Sequence, residues 1–113
     1  MAKPSSPYRY LPLTEATYYI LLALDEPRHG YAVMQTVAEI SQGTVEVGPG
    51  TLYGAFSKLE KEGLIVKIKE DDRRKTYGLS PQGEEVLAEQ VRRLGIMERV
   101  GARWRARRQQ ARS

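Results

Sequence analysis

Residues 45–65 read VEVGPGTLYGAFSKLEKEGLI, and this stretch decides the fold. The Gly-Pro-Gly run at 48–50 interrupts regular structure, yet proline is favoured in the first turn of a helix, where its missing N–H would have no partner. Leu52, Phe56 and Leu59 follow at i, i+4 and i+7, which is the spacing of one buried helix face. The stretch therefore predicts a helix that starts at this run and is held to a core by an apolar stripe.

The opposite face of this helix is predicted to lie outward. Its first half is small and uncharged and its second half carries lysines; its members are Thr51, Gly54, Ser57, Lys58 and Lys61, with Tyr53 at the border. Small side chains leave the helix backbone accessible, so a face of this composition lets another molecule approach closely. Gly63 is expected to end the helix, because glycine adopts the left-handed conformation that follows many helix ends at little cost.

Two shorter helices precede this one. The first is predicted to begin with Thr14 as its N-cap and to end before Pro27, and the second to run from about His29 to Gln42. Because TVEV, residues 44–47, is short, β-branched and alternating, we expect it to pair as a small strand.

The two ends of the chain differ from its middle. Residues 1–12 are rich in proline and serine and are predicted to form a flexible arm without a fold of its own. Residues 103–113 hold five of the eighteen basic residues and no acidic residue, so residues 1–102, with all fourteen acids, have a net charge of −1. The high pI is therefore a property of the C-terminal end, of which residues 109–113 are predicted to be disordered.

An alternating pattern follows the central helix. In LIVKIKE, residues 64–70, Leu64, Val66 and Ile68 fall on one side and the lysines on the other. A polar stretch separates it from TYGLS at 76–80. Together they predict a two-stranded antiparallel ribbon, with a tip too long for a tight hairpin turn.

A long helix is predicted to follow the ribbon, from Pro81 to about Arg107. Apolar residues recur along it every three or four positions, at Leu87, Val91, Leu94, Met97, Val100 and Trp104. The preceding elements are too short to cover such a stripe. We therefore expect a second copy of the chain to cover it, which makes these residues the predicted homodimer interface.

The order of elements is helix, helix, short strand, helix, ribbon and long helix. This order indicates a winged helix-turn-helix, a mainly α fold with a small β-ribbon. Its third helix enters the DNA major groove while the ribbon lies against the flanking backbone or minor groove. We expect residues 13–79 to form this DNA-binding domain and residues 80–108 the dimerisation helix. The expected contacts with double-stranded DNA are Pro49, Gly50, Thr51, Tyr53, Ser57, Lys58 and Lys61 from the helix and Arg73, Arg74 and Lys75 from the ribbon tip.

The charge of this region predicts weak binding by a single copy. Residues 49–77 contain seven basic and five acidic side chains, a net charge of +2, and affinity that rests on phosphate contacts falls steeply with salt. A dimer would double those contacts and place its two reading helices about 34 Å apart on a two-fold-symmetric operator.

Four ordered blocks carry a resemblance to a known family, namely LTEATYYILLAL, HGYAVMQ, VGPGTLYGAFSKLEKEGLI and DDRRKTYGLSPQGEEVL. Over residues 11 to about 94 the chain resembles PadR-type transcriptional regulators. The resemblance implies a prokaryotic winged-helix repressor that dimerises through a single C-terminal helix. It also implies that the block beginning at Pro49 and ending at Tyr53 starts the recognition helix. Gly54 departs from the family, whose members usually have proline at that position.

Trp104 fits two roles. Some members of the resembled family sense planar aromatic molecules between their dimer helices, which implies that Trp104 is a candidate effector-binding residue. The other role is that of a packing anchor, because interfaces are enriched in tryptophan. The neighbouring arginines fit either a contact with the DNA backbone or a solvated helix end.

The HGY block contains residues that could be mistaken for a site. His29 has no partner ligands near it in the sequence, so we predict that it caps or packs the second helix and binds nothing. We predict that Tyr31 lies in the core.

Composition excludes several classes of function. The chain has no cysteine and one histidine, so disulfides, thiolate metal sites and multi-histidine metal sites are excluded. No nucleophile is spaced with a base, so we expect neither an enzyme nor a cofactor. No apolar run has the length of a membrane span and the start lacks a signal-peptide core, so we expect a cytoplasmic protein. Two alternatives to DNA regulation remain: a winged-helix protein–protein interaction module, and an RNA-binding domain that uses the basic tail.

Overall fold

A computed structural model describes residues 7–112 of the chain. The elements follow in the order of a 3-10 helix Pro7–Tyr10, α1 Glu15–Ala23, β1 Arg28–His29, α2 Gly30–Ile40, α3 Pro49–Lys61, β2 Ile65–Asp71, β3 Arg74–Leu79 and α4 Pro81–Arg112. This is the predicted mainly α winged helix-turn-helix with a long C-terminal helix, and its fold class is confirmed.

The first two helices begin at side-chain caps. The hydroxyl of Thr14 accepts a hydrogen bond from the N–H of Thr17 at 3.1 Å, as expected of an N-cap. His29 caps α2 in the same way, because its Nδ1 accepts from the N–H of Ala32 at 3.4 Å. The prediction that His29 is a capping residue is confirmed.

The sheet has three strands in the order β1-β3-β2. Its third strand is not the predicted one at 44–47, which forms no strand. The side chain of Ser41 occupies the backbone groups that a ladder would use, because its Oγ accepts from the N–H of Val45 and donates to the carbonyl of Val45, both at 3.1 Å. The pair Arg28–His29 is the third strand instead, with Arg28 opposite Tyr77.

The two-stranded ribbon, hereafter the wing, is tighter than predicted. Strand β2 extends to Asp71 and β3 starts at Arg74, so only Asp72 and Arg73 form the turn. Both have positive φ, 43° and 72°, which is the backbone requirement of the two-residue hairpin turn whose twist matches that of the strands. The prediction of a long tip was wrong. The polar composition of this stretch suggested a loop, but its residues continue the pairing of the two strands.

The core lies beneath α3. Leu52, Phe56 and Leu59 are buried, as the spacing predicted, and Gly63 follows the helix with a φ of 78°. Tyr31 was predicted to lie in the core and this is wrong, because it is on the outer side of α2 and half its surface is exposed.

The wing is buried only at its base, where Ile65 begins β2 and Tyr77 and Gly78 lie near the end of β3. Leu64 and Ile65 are buried, whereas Val66 and Ile68 on the predicted apolar side are exposed. A register irregularity between Lys67 and Lys69 breaks the alternation that the sequence suggested. The outer part of the wing therefore projects from the core.

The two ends of the chain are more ordered than predicted. Pro7–Tyr10 forms a 3-10 helix that packs against α4, so the prediction of an arm without a fold is wrong for these residues, while residues 1–6 lie outside the described residues. Helix α4 continues to Arg112, through most of the segment predicted to be disordered, and Ser113 lies outside the described residues.

Candidate nucleic-acid interface

The predicted outer face of α3 is exposed along its whole length. Its members are Thr51, Tyr53, Gly54, Ser57, Lys58 and Lys61. The helix begins after Gly48, which makes no side-chain capping bond, so the N–H groups of its first turn that lack a partner within the helix face outward. Nothing from the rest of the chain lies within 4 Å of a Cβ built on Gly50 or Gly54. The start of α3 is thus open to a ligand.

A cleft of about 420 Å³ separates α3 from the tip of the wing. It brings together five of the sequence-predicted residues, two from α3 and three from the wing: Tyr53, Ser57, Arg73, Arg74 and Lys75. Its floor is aromatic, since Phe56 and Tyr77 lie 4.9 Å apart between ring centroids. A helix face and a set of guanidinium and ammonium groups therefore face the same space.

Tyr53 is held in place by two neighbours. Its ring lies edge-on to Phe56 at 6.2 Å, and a Cβ built on Gly30 would lie 2.6 Å from its hydroxyl oxygen. Gly30 at the start of α2 therefore makes room for the Tyr53 ring. Tyr53 is half exposed, so it packs on one side and faces the cleft on the other.

Ion pairs divide the wing charges into two groups. Lys67 Nζ lies 2.8 Å from Glu70, and Lys69 Nζ lies 3.0 Å from Asp71. The hydrogen bond from Lys67 lowers the pKa of the Glu70 carboxyl, which keeps this pair ionised. None of the ion pairs in the described part of the chain involves Arg73, Arg74 or Lys75, so the basic half of the tip has its charge available for a partner.

Tyr77 joins the wing to the last turns of α3. Its hydroxyl donates a hydrogen bond to Glu60 at 3.3 Å. Burial, followed by the nearby Glu60 carboxylate, raises the pKa of Tyr77, so its hydroxyl stays protonated and remains a donor. This contact fixes the wing relative to α3.

Lys58 and Lys61 lie apart from the wing cleft. Lys58 lines a second cleft of about 340 Å³ between α3 and the start of α1, together with Arg9, Thr14 and Thr17. Lys61 is exposed in the last turn of α3. The fold therefore distributes the sequence-predicted contacts over two sides of the helix.

Sequence reasoning missed three residues at these surfaces. Tyr31 lines the wing cleft because β1 brings the start of α2 beside β3, and a two-residue strand gives no pattern to detect. Arg9 reaches the second cleft from the 3-10 helix, a segment that the sequence predicts to be a flexible arm. Gly30 is the glycine of the HGY block, so the sequence draws attention to it. Its contact with Tyr53 could not be predicted, because the two positions are far apart in the sequence.

The predicted dimer stripe on α4 lies in three environments. Val91, Met97, Val100 and Trp104 are exposed, and Leu94 is half-buried. Leu87 differs, because it lies in the core of its own chain and has little surface left for a partner. The guanidinium of Arg108 lies 5.7 Å from the Trp104 ring centroid, a cation–π distance.

Residues 7–112 contain neither a cluster of metal ligands nor a membrane-spanning helix. No group of three or more potential metal-ligating side chains is present within this range. None of its helices combines the length and the apolarity that crossing a membrane requires.

Comparison with known proteins points to one family. The model of the transcriptional regulator PadR-like family matches residues 20–89, which is more than half of the chain. Transcriptional regulator Rv3488 of Mycobacterium tuberculosis is 34% identical over 80 residues, which cover 68% of this chain and 72% of that protein. An uncharacterised protein of a Streptomyces fradiae transposon is 38% identical over 74 residues, which cover 65% of this chain but only 21% of that protein.

A solved structure has a similar fold. The structure of RosR from H. salinarum aligns with a TM-score of 0.64 at 26% identity, covering 86% of this chain and 97% of that one. The similarity therefore extends beyond the matched segment and over nearly the whole of that protein.

Proposed function

The chain belongs to the PadR-like family of transcriptional regulators, and we propose that it acts by binding a two-fold-symmetric duplex DNA site as a homodimer. The family is one of transcriptional regulators and not of enzymes, and Rv3488, one of the relatives, is a transcriptional regulator. We propose further that it represses transcription and that a planar aromatic molecule releases it from DNA.

One observation supports DNA binding above the others, the wing cleft. Ser57 and Tyr53 on α3 face the same space as Arg73, Arg74 and Lys75 on the wing. In this proposal the first half of α3 enters the major groove, where Thr51 and Ser57 reach base edges or phosphates. The basic wing tip contacts the flanking backbone.

The open start of α3 supports the same assignment. Gly50 places no side chain over the first turn and the Pro49 ring takes the place of an N–H, so the remaining N–H groups there suit a phosphate oxygen. Lys58 and Lys61, further along, add phosphate contacts that fix register without reading sequence.

Exposed apolar surface on α4 supports the homodimer. The last buried residue of the helix is Gln90, and the following 22 residues, about 33 Å of helix, carry Val91, Met97, Val100 and Trp104 on the surface. Pairing with a second copy would cover these side chains and bring two reading helices onto one site. An aromatic effector bound beside Trp104 would act by changing how the two copies pair.

In vitro selection of random duplexes by the purified chain tests the proposal. We expect enrichment of an inverted repeat whose half-sites lie about one DNA turn, roughly 34 Å, apart, with an affinity that falls as salt is added. Failure to enrich any duplex at moderate salt would favour the protein–protein interaction module.

Two further measurements separate the remaining alternatives. Tyr53→Ala or Lys58→Glu in α3 weakens binding to duplex DNA in this proposal, whereas an RNA-binding domain that uses the basic tail is unaffected by these changes and loses nucleic-acid binding when residues 103–113 are deleted. Titration of the dimer with planar aromatic compounds is expected to quench Trp104 fluorescence. The absence of any quenching counts against an effector at that residue.

A further inference from the structure

The start of α4 is tied to the segment that follows α3. The hydroxyl of Ser80 donates to the carbonyl of Gly63 at 2.6 Å and accepts from the N–H of Gly83 at 3.0 Å. The N–H of Ser80 donates to the carbonyl of Leu64 at 3.1 Å. Gly63 directly follows the C-cap of α3, so Ser80 links the end of the reading helix to the start of the long one.

Gly83 brings the two backbones into direct contact. A Cβ built on Gly83 overlaps the carbonyl oxygen of Leu64 and lies 3.0 Å from its carbonyl carbon. Gly83 is buried, and Leu64 is fully buried. Helix α4 therefore lies at a distance from Leu64 that only glycine permits.

Gln90 provides a second point of attachment. Its side chain is buried, and its Oε1 accepts from the N–H of Leu13 at 2.7 Å. Leu13 precedes Thr14, the N-cap of α1, so this bond joins α4 to the other end of the domain. Gly83 and Gln90 lie about 10 Å apart along the helix, and two fixed points define its direction.

We propose that these three residues, the α3–α4 joint, set the half-site spacing of the DNA that the dimer accepts. The inference rests on the proposed function, because α4 must dimerise and α3 must read DNA. If α4 is fixed to α3 within each protomer, the pairing of the two α4 helices determines the distance between the two α3 helices. Ser80, Gly83 and Gln90 are then positioning residues that touch no DNA.

Helix geometry gives the size of the effect. A methyl group at Gly83 requires a shift of about 1 Å, which tilts α4 by about 6° around Gln90 and moves Trp104 by about 2 Å. Because both protomers move, the displacement doubles to about 4 Å across the dimer. Because one DNA turn of about 34 Å contains about 10 base pairs, the shift corresponds to about one base pair of spacing.

The first test measures the angle of α4 directly. The chain has no cysteine, so Lys61→Cys on α3 and Arg103→Cys on α4 introduce the only two spin-label sites. Dilution of the doubly labelled chain into excess unlabelled chain leaves the intrachain distance, which pulsed electron spin resonance measures with or without DNA. We expect one narrow distribution, which Gly83→Ala shifts or broadens by about 2 Å. The control Gly95→Ala lies off the proposed dimer stripe, and its Cβ would meet only the end of the Arg99 side chain, at 3.4 Å, so it leaves the distance unchanged.

The second test measures the spacing preference. Duplexes with the selected half-sites at a series of separations are bound by the parent chain and by the Gly83→Ala, Ser80→Ala and Gly95→Ala variants. We expect the best separation to change by about one base pair, or the preference to broaden, for the first two variants only. A loss of stability alone would lower affinity at every separation and leave the best one unchanged.

The outcomes distinguish the two proposals. A parent chain that selects no duplex contradicts the proposed function. A chain that selects one contradicts the joint if Gly83→Ala and Ser80→Ala keep both the parental distance and the parental spacing. Should circular dichroism show that Gly83→Ala does not fold, Ser80→Ala decides, because it removes the bond to Gly63 without adding an atom.

Discussion

Helices α3 and α4 both begin with proline, yet their N-terminal ends have opposite surroundings. Gly48 precedes α3 without a side-chain cap, and a Cβ on Gly50 would meet nothing within 4 Å. Ser80 precedes α4 and caps it with its hydroxyl, and a Cβ on Gly83 would overlap Leu64. One start is open to solvent and the other is closed by the chain itself.

The two helix starts differ in what hydrogen-bonds to their first backbone N–H groups. A helix leaves its first N–H groups without a partner inside the helix, and they must be satisfied from outside. The donors of α4 are partly satisfied by Ser80, whereas those of α3 face outward and suit an external anion. A proline with a glycine nearby therefore marks an attachment point in one helix and a proposed binding surface in the other.

The largest effect on the free energy of unfolding is expected for the buried face of α3, because its apolar stripe holds the helix to the core. Leu52→Ala should lower the free energy of unfolding by about 2–5 kcal/mol, because a fully buried leucine leaves a cavity. Its exposed neighbour Thr51→Ala should change it by no more than about 0.5 kcal/mol. Urea denaturation measures both. Equal effects would show that the two faces of α3 are not distinct.

Replacement of the buried glycine in α4 should have the next largest effect. Gly83→Ala should lower the free energy of unfolding by about 1–3 kcal/mol, because its methyl group overlaps backbone that cannot move aside freely. The control Gly95→Ala, off the proposed dimer stripe, should instead raise it by about 0.5–1 kcal/mol, as for a glycine within a helix whose methyl group meets only the end of a flexible side chain. Opposite signs in thermal unfolding are the expected result, and a stabilising Gly83→Ala would mean that the start of α4 is not closed.

A smaller and stabilising effect is expected on the open helix. Gly54 lies within α3 with nothing near it, so Gly54→Ala should raise the free energy of unfolding by about 0.5–1 kcal/mol. The same methyl group projects from the proposed DNA surface, so the affinity for the selected duplex is expected to fall while stability rises. A variant that is less stable than the parent would contradict the open surroundings of Gly54.

The smallest effect on stability is expected for an ion pair of α4 that lies beyond the start of that helix, and this effect depends on pH. Hydrogen bonds from Arg92 and then Arg93 lower the pKa of the Glu89 carboxyl to about 2, from an ordinary value of 4.5. A lowered pKa contributes stability above the ordinary value that is lost as pH falls through the lowered one. Glu89→Gln should therefore unfold at a lower temperature than the parent at neutral pH. The gap should close between about pH 4.5 and pH 2, and a gap that does not change with pH would argue against this ion pair.

Much of the fold followed from local patterns in the sequence. The apolar spacing of Leu52, Phe56 and Leu59 identified the buried face of α3, and Thr14 identified the start of α1. These features depend on neighbours within a few residues, which the sequence displays directly.

The errors arose where a specific side-chain contact or the pairing with a distant strand decides the structure. The stretch 44–47 alternates like a strand, but Ser41 satisfies the backbone of Val45, and Arg28–His29 pairs with β3 although nothing in its composition favours a strand. In the candidate site, the predicted residues of α3 and the wing do meet in one cleft, but the placement of Lys58 on the other side and the contact of Gly30 with Tyr53 depend on tertiary packing.

The central claim is that the open side of α3 and the wing binds DNA, and two matched charge reversals test it most directly. Arg74→Glu in the wing cleft and Arg103→Glu near the end of α4 change the net charge equally, and both side chains are exposed. We predict that Arg74→Glu weakens binding to the selected duplex at least tenfold, about 1.4 kcal/mol, while Arg103→Glu has a much smaller effect. Equal losses, or a larger loss for Arg103→Glu, would contradict the assignment of DNA binding to this surface.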